Sequence, residues 1–199
     1  MDKQYIVVIS REFGSGGHEI AEILSKKLNI NLYDRKMLDE IAMEKNMHVD
    51  QLKKHEEKPR KKLLSRRVRG YSNSPEEIIA EMQFDYIRKK AESGENFVIV
   101  GRCADTVLRD RPGMISIFIT GDKECKIKRI MKVFGIGREE AESKRKRHDQ
   151  TRKQYHNIHS DFKWSDSRHY DVCINSSKLG EEITADLLET YIRERINNM

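Results

Sequence analysis

The 199 residues include only three cysteines, three prolines and a single tryptophan. Cys103, Cys125 and Cys173 are odd in number and far apart, which excludes a disulfide framework and favours a reducing compartment. No run of about 18 apolar residues occurs, so no membrane-spanning helix is expected. The opening MDKQYIVVIS has an early acid and too short an apolar run for a signal peptide, and the expected location is the cytoplasm. Apolar residues reach only 37% against 36% charged, which leaves a modest core beneath much solvated helix and loop. A net charge of +6 suits an anionic partner without choosing among nucleotide, nucleic acid and membrane surface.

What the chain does contain is organised around residues 5–28, YIVVISREFGSGGHEIAEILSKKL. The continuous apolar run Tyr5 to Ile9 predicts a strand buried on both faces of a parallel sheet. Ile20, Ile23, Leu24 and Leu28 then recur at helical spacing, so the period changes across Gly14, Gly16 and Gly17. Those glycines make either a bland strand-to-helix turn or a cradle of backbone N–H groups at a helix N-terminus, where a phosphate fits. Their place after the first strand of an α/β chain favours the cradle.

On these residues a resemblance can be stated. ISREFGSGGHEIAEILSKKL followed by NLYDRKML resembles the cytidylate kinase-like family of P-loop nucleoside monophosphate kinases. Laid over the motif GxxxxGK[ST] with its second glycine on Gly16, the chain has Arg11 for the first glycine, Gly17 for the lysine and His18 for the hydroxyl. The resemblance implies phosphate binding by Gly14, Ser15, Gly16, Gly17 and His18, whose amides do not depend on side chains. Arg11 is the candidate for the missing positive charge.

Ile30, Leu32 and Tyr33 predict a brief second strand ending at Asp34 and Arg35, the place where the resembled kinases begin to hold the acceptor. Asp34 reads equally as a helix N-cap. Lys36 stands for a family glycine and Glu40 for an acceptor-binding arginine, so cytidine monophosphate is not fixed as the acceptor. The basic run KKHEEKPRKKLLSRRVRG reads first as a solvated face, then as an acceptor-binding arm, and third as a nucleic-acid contact, for which it lacks aromatics. Ser74 with Glu77 predicts a capping box, Pro75 a first helical residue, and Ile78, Ile79, Met82 and Tyr86 a buried face ending at Gly94. Phe97 to Val100 predicts a central strand with Gly101-Arg102 at its end. The segment resembles the family's Gly-Arg-Asp, with Cys103 for the aspartate and Asp105 two residues late, and it implies acceptor binding by Arg102 and Asp105. A plain ion pair of Arg102 with a carboxylate is the other reading.

Met114 to Ile119 predicts a fourth strand, and Asp122 opens a helix that Gly135 ends. GREEAESKRKRHDQTRKQYHNIH follows, with almost nothing apolar to bury. Arg145, Asp149 and Arg152 share one helical face, where the aspartate can hold both arginines towards a common point. Alone this is a solvated charged helix; by resemblance it is the lid whose arginines meet the transferred phosphate. His156, His159, Asp161 and His169 fit no closed metal site, and no protein metal ligands are expected. Trp164 is expected to pack. Tyr170 to Ile174 predicts a fifth strand, with Asn175, Ser176 and Ser177 near the adenine pocket the family implies, and Ile183, Leu187, Tyr191 and Ile196 line one side of a last helix.

The expectation is one domain over residues 1–199: a three-layer α/β/α P-loop kinase-like fold with a five-stranded parallel sheet, a helical acceptor insert about 35–95 and a lid about 137–160. The resemblance implies a phosphotransferase using ATP and Mg²⁺, with Arg11, Arg145, Asp149 and Arg152 catalytic. Its partners are a nucleotide and a small-molecule acceptor, with a second copy of the chain left open and neither nucleic acid nor membrane expected. The alternative is a nucleotide-binding regulatory protein with a degenerate P-loop and no transfer activity.

Overall fold

The computed structural model describes residues 3–53, 67–68, 71–72 and 74–199. In chain order its strands and helices are β1 (Ile6–Arg11), α1 (Gly17–Leu28), β2 (Asn31–Tyr33), α2 (Met37–Glu44), α3 (Val49–Lys53), β3 (Arg67–Val68), β4 (Tyr71–Ser72) and α4 (Pro75–Glu92). There follow β5 (Phe97–Val100), α5 (Ala104–Val107), β6 (Met114–Thr120), α6 (Lys123–Phe134), α7 (Arg138–His159), β7 (Val172–Asn175) and α8 (Gly180–Asn197). The main sheet has five strands, all parallel, in the order β2-β5-β1-β6-β7; β3 and β4 form a separate antiparallel pair.

The apolar run near the start becomes the middle strand because both its faces are covered. Alternation divides it: Ile6 and Val8 pack with Met37, Leu38, Ile41 and Ile87 of α2 and α4. Val7 and Ile9 pack with Ile20 and Leu24 of α1 and with Leu188 and Ile192 of α8. In register, Ile9 stands opposite Val100 and its carbonyl accepts the Gly101 N–H at 3.0 Å. Arg11 and the Gly101-Arg102 turn therefore meet at one carboxyl edge of the sheet.

Several local expectations are corrected. Ser74 caps α4 by backbone only; its hydroxyl donates to Glu76 at 2.6 Å, so no capping box with Glu77 forms. Ile78 is exposed, because Ile79, Ala80, Gln83, Phe84 and Ile87 turn inward instead. Ile183 and Leu187 are 56% and 53% exposed, since small Thr184 and Ala185, with Leu188 and Ile192, make the inner face of α8. The fifth strand begins at Val172, because Ser167–His169 form a 3-10 turn closed by Tyr170 N–H on the Ser167 carbonyl. Most of the basic run 53–69 lies outside the described residues. Among the described residues no helix is long and apolar enough to cross a membrane.

Candidate active site

The glycine-rich loop leaves β1 at Arg11 and enters α1 at Gly17. Gly14 and Gly16 hold φ of +84° and +76°, a left-handed backbone that L side chains resist, and this bends the chain around a central space. Among the described residues no protein acceptor takes the N–H groups of Gly14, Gly16, Gly17 or His18, and the partial positive charge of the α1 N-terminus adds to them. Ser15 differs from its neighbours: it is buried, and its hydroxyl donates to the Glu12 carbonyl at 2.9 Å.

The loop is fastened from below and from one side. Glu12 accepts from Thr120 Oγ1 at 2.5 Å, Lys126 Nζ at 2.6 Å and the Gly121 N–H at 3.2 Å. Burial pushes its carboxyl up, but these donors together outweigh that and hold it below the ordinary carboxylate value. Ser176 Oγ donates to the Ser15 carbonyl at 2.5 Å. Arg129 donates to the Gly14 carbonyl at 3.0 Å and pairs with Glu181 across Gly16. Asn175 and Ser177 are tied to Asp122, so this strand end braces the loop.

Helix α7 clasps the other side. Asp149 Oδ1 accepts the Phe13 N–H at 2.7 Å and its Oδ2 accepts from Arg145 at 3.3 Å, while Arg152 donates to the Arg11 carbonyl at 3.2 Å. His148 stacks on the Phe13 ring at 4.2 Å. Asp149 thus binds Arg145 and a loop amide, and the charge of Arg152 acts on it as well. Burial pushes its carboxyl above the usual value, against the opposing pull of the Phe13 amide.

Between loop and helix lies a cavity of about 320 Å³. Of the predicted residues, Arg11, Gly14, Gly16, Gly17, His18, Asp34, Arg35 and Arg152 line it; Ile130, Val133 and Phe134 give it an apolar wall. Asp34 is not the N-cap of α2, which is Lys36; its Oδ1 accepts the Lys36 N–H at 2.8 Å while its other oxygen lies 3.7 Å from His18 Nε2. A Cβ added at Gly17 would stand 2.6 Å from Arg11 Cβ, and one added at Gly101 would overlap Arg11 Nη1. The arginine side chain runs through space that a residue other than glycine at either position would fill.

A second cavity, of about 20 Å³, is lined by Ser10, Arg11, Arg102, Tyr155, His156 and Trp164, with Gly101, Cys103 and Arg152 beside them. Gly101, Arg102 and Cys103 all have positive φ, at 75°, 60° and 51°. Each of the two that is not glycine costs on the order of 1–2 kcal/mol, strain of the sort that gathers at functional sites. Behind this cavity Asp105 is 2% and His156 3% exposed; His156 Nε2 lies 3.0 Å from Asp105 Oδ2, to which Ser10 Oγ also donates at 3.3 Å. Arg145 and Asp149 stand outside both cavities.

Sequence reasoning missed the Asp105–His156 contact, Arg129, and the Glu12–Lys126 pair. Only the last left a trace: Lys126 sits four residues before Ile130, an apolar position of the α6 pattern. The residues present fit a triphosphate through free amides and arginines. For a magnesium ion the motif hydroxyl is replaced by His18, and among the described residues no three His, Cys, Asp or Glu side chains gather to hold a metal. That chemistry fits an ion carried mainly by nucleotide phosphates and water.

The model of the cytidylate kinase-like family matches residues 6–178. A search of curated proteins finds no match. Among solved structures, an uncharacterized protein from Eubacterium ventriosum ATCC 27560 is 40% identical over 96% of this chain and 99% of its own, with a TM-score of 0.76. A shikimate kinase from Bacteroides thetaiotaomicron is 11% identical over 97% and 98%, at 0.56. A gluconokinase from Sinorhizobium meliloti 1021 is 11% identical over 100% and 96%, at 0.51. The latter two likenesses concern the fold, that of P-loop kinases.

Proposed function

The chain belongs to the cytidylate kinase-like family, and from that premise we propose that it is an ATP-dependent phosphotransferase acting on a nucleoside monophosphate or other small acceptor. Bound ATP supplies the γ-phosphoryl group, with Mg²⁺ neutralising part of its charge. The amides of Gly14, Gly16, Gly17 and His18 hold the donor phosphates, and the wall of Ile130, Val133 and Phe134 covers the donor's apolar surface. Arg102 meets the acceptor from the narrow cavity, and the Asp34-Arg35 turn, which lines the wide cavity, meets it from the donor side. Arg145 and Asp149 keep α7 docked on the loop, so that Arg152 is held at the seam between the cavities. Catalysis in such a site is positioning plus charge stabilisation.

The observation that carries the reading is Arg11. The motif lysine is missing, yet Gly17 leaves room for the stem of Arg11 and Gly101 for its guanidinium, and this one arginine borders donor and acceptor cavities alike. A loop that only sensed a nucleotide has no need of a cation at that seam. The test is ADP release from ATP and Mg²⁺ with a panel of nucleoside monophosphates and small alcohols, using the natural chain, Arg11→Ala and the exchange Arg11→Gly/Gly17→Lys. Turnover that falls in the first variant and partly returns in the second is expected. Nucleotide binding without ADP release for any acceptor would establish the regulatory alternative.

A further inference from the structure

We propose that His156 and Asp105 form a general-base pair for an acceptor hydroxyl, so that the acceptor is a small alcohol bearing a carboxylate or phosphate rather than the phosphate of a nucleotide. The inference rests on the phosphotransferase reading and narrows it. His156 comes from α7, one turn beyond Arg152, and its ring lines the second cavity. Asp105, on α5, lies 3.0 Å from its Nε2. A carboxylate there accepts the Nε2–H and fixes the tautomer whose lone pair is on Nδ1. That Nδ1 is buried and has no hydrogen-bond partner among the described residues. The face of Phe162, with ring centroids 5.0 Å apart, holds the imidazole in place.

A pair that only anchored the helix would leave a polar atom buried at a cost that an apolar side chain avoids. A phosphate acceptor has no use for a base, because its attacking oxygen is already ionised. A hydroxyl acceptor does, since its proton must leave as the new bond forms. Arg11, Arg102 and Arg152 around the same cavity select an anionic group on the same molecule. The cavity, about 20 Å³, is too narrow for a nucleobase, and Arg11 and Arg152 wall the donor cavity as well. Further charged or titratable groups facing the ring are His159 on its own helix and Tyr170 beyond Asp105.

In the step, the acceptor oxygen bonds to the γ-phosphorus as its O–H bond breaks and the proton passes to His156 Nδ1. The bond between the γ-phosphorus and the bridging oxygen breaks, and its electron pair leaves with ADP. The imidazolium, stabilised by the Asp105 carboxylate, returns its proton to water when α7 opens.

The experiment offers the natural chain ATP and Mg²⁺ with glycerate, tartrate or glycerol 3-phosphate, and separately with CMP, UMP, AMP or GMP. It follows ADP release and distinguishes phosphate ester from phosphoanhydride product by ³¹P NMR. Ester formation on the hydroxy acids is expected. His156→Gln keeps an amide against Asp105 and removes the base; it should lower kcat on the alcohol about a hundredfold or more. The KM for ATP should stay unchanged. Anhydride formation on the monophosphates alone overturns this inference and leaves phosphotransfer standing. No ADP release with either group overturns both. Because the acceptor panel uses the natural chain, it decides even where the buried substitution fails to fold.

Discussion

The wide and the narrow cavity share Arg11 and Arg152 and are otherwise built from opposite materials. The wide one is walled by a turn whose amides present themselves whatever side chains the loop carries, and its tethers at Glu12, Gly14 and Ser15 all run to backbone or from behind. The narrow one is walled by side chains from β1, the turn after β5, α7 and the segment around Trp164, behind which Asp105 is buried. A site for a triphosphate can rest on charge and curvature, because every nucleoside triphosphate offers the same oxygens. A site that must tell one small acceptor from another needs exact groups, and those are costly to bury unless they have work to do.

The largest expected effect lies where the two cavities join. Arg11→Ala should lower kcat about a thousandfold, about 4 kcal/mol of transition-state stabilisation, measured by steady-state ADP release. Moving the charge to the motif position with Arg11→Gly/Gly17→Lys should recover at least about tenfold of that loss. A double variant no better than the single one breaks the comparison, because Arg11 would then not be filling the lysine's place. Arg152→Ala should cost about a hundredfold in kcat, about 2.7 kcal/mol, while nucleotide affinity by calorimetry changes by no more than about threefold. Equal losses in both would assign Arg152 to binding alone.

On the wall of the wide cavity the measure is stability. Glu12→Gln leaves Lys126 buried without its carboxylate and should cost about 2 kcal/mol in urea unfolding. Because the folded carboxyl titrates below its ordinary value of 4.5, this contribution is complete above that pH and fades as pH falls through the lower folded value. The variant should lose that part of the acid sensitivity, and unchanged acid unfolding would show that the pair does not hold the loop. Smallest of all should be Ile183→Gln on the exposed stripe of α8, within about 0.5 kcal/mol by thermal melting. A larger loss would mean that the stripe is covered in solution.

The same division governs what could be read from the sequence. The sheet was legible because its strands are continuous apolar runs and its loop is a local pattern of glycines. The charged face of α7 was legible as spacing. Its contacts were not, since the grip of Asp149 on the Phe13 amide depends on where α7 meets the loop, and 136 residues separate the two partners. Arg11 sharing space with Gly17 and Gly101 follows from strand register and the turn after β5. The pairing of Asp105 with His156 joins residues 51 apart that bear no mutual pattern. Pattern also misled where an element had two plausible faces: Ile183 and Leu187 repeat as well as Thr184 and Leu188, and only the neighbouring helix chooses between them.

On the lid reading proposed above, the two bonds by which α7 grips the backbone at Arg11 and Phe13 would make opening and disarming a single event. A helix that swung out to discharge product would let go of the strand end that carries Arg11. An empty, gaping molecule would thereby be safeguarded against wasting its fuel on water, with no separate safety catch required.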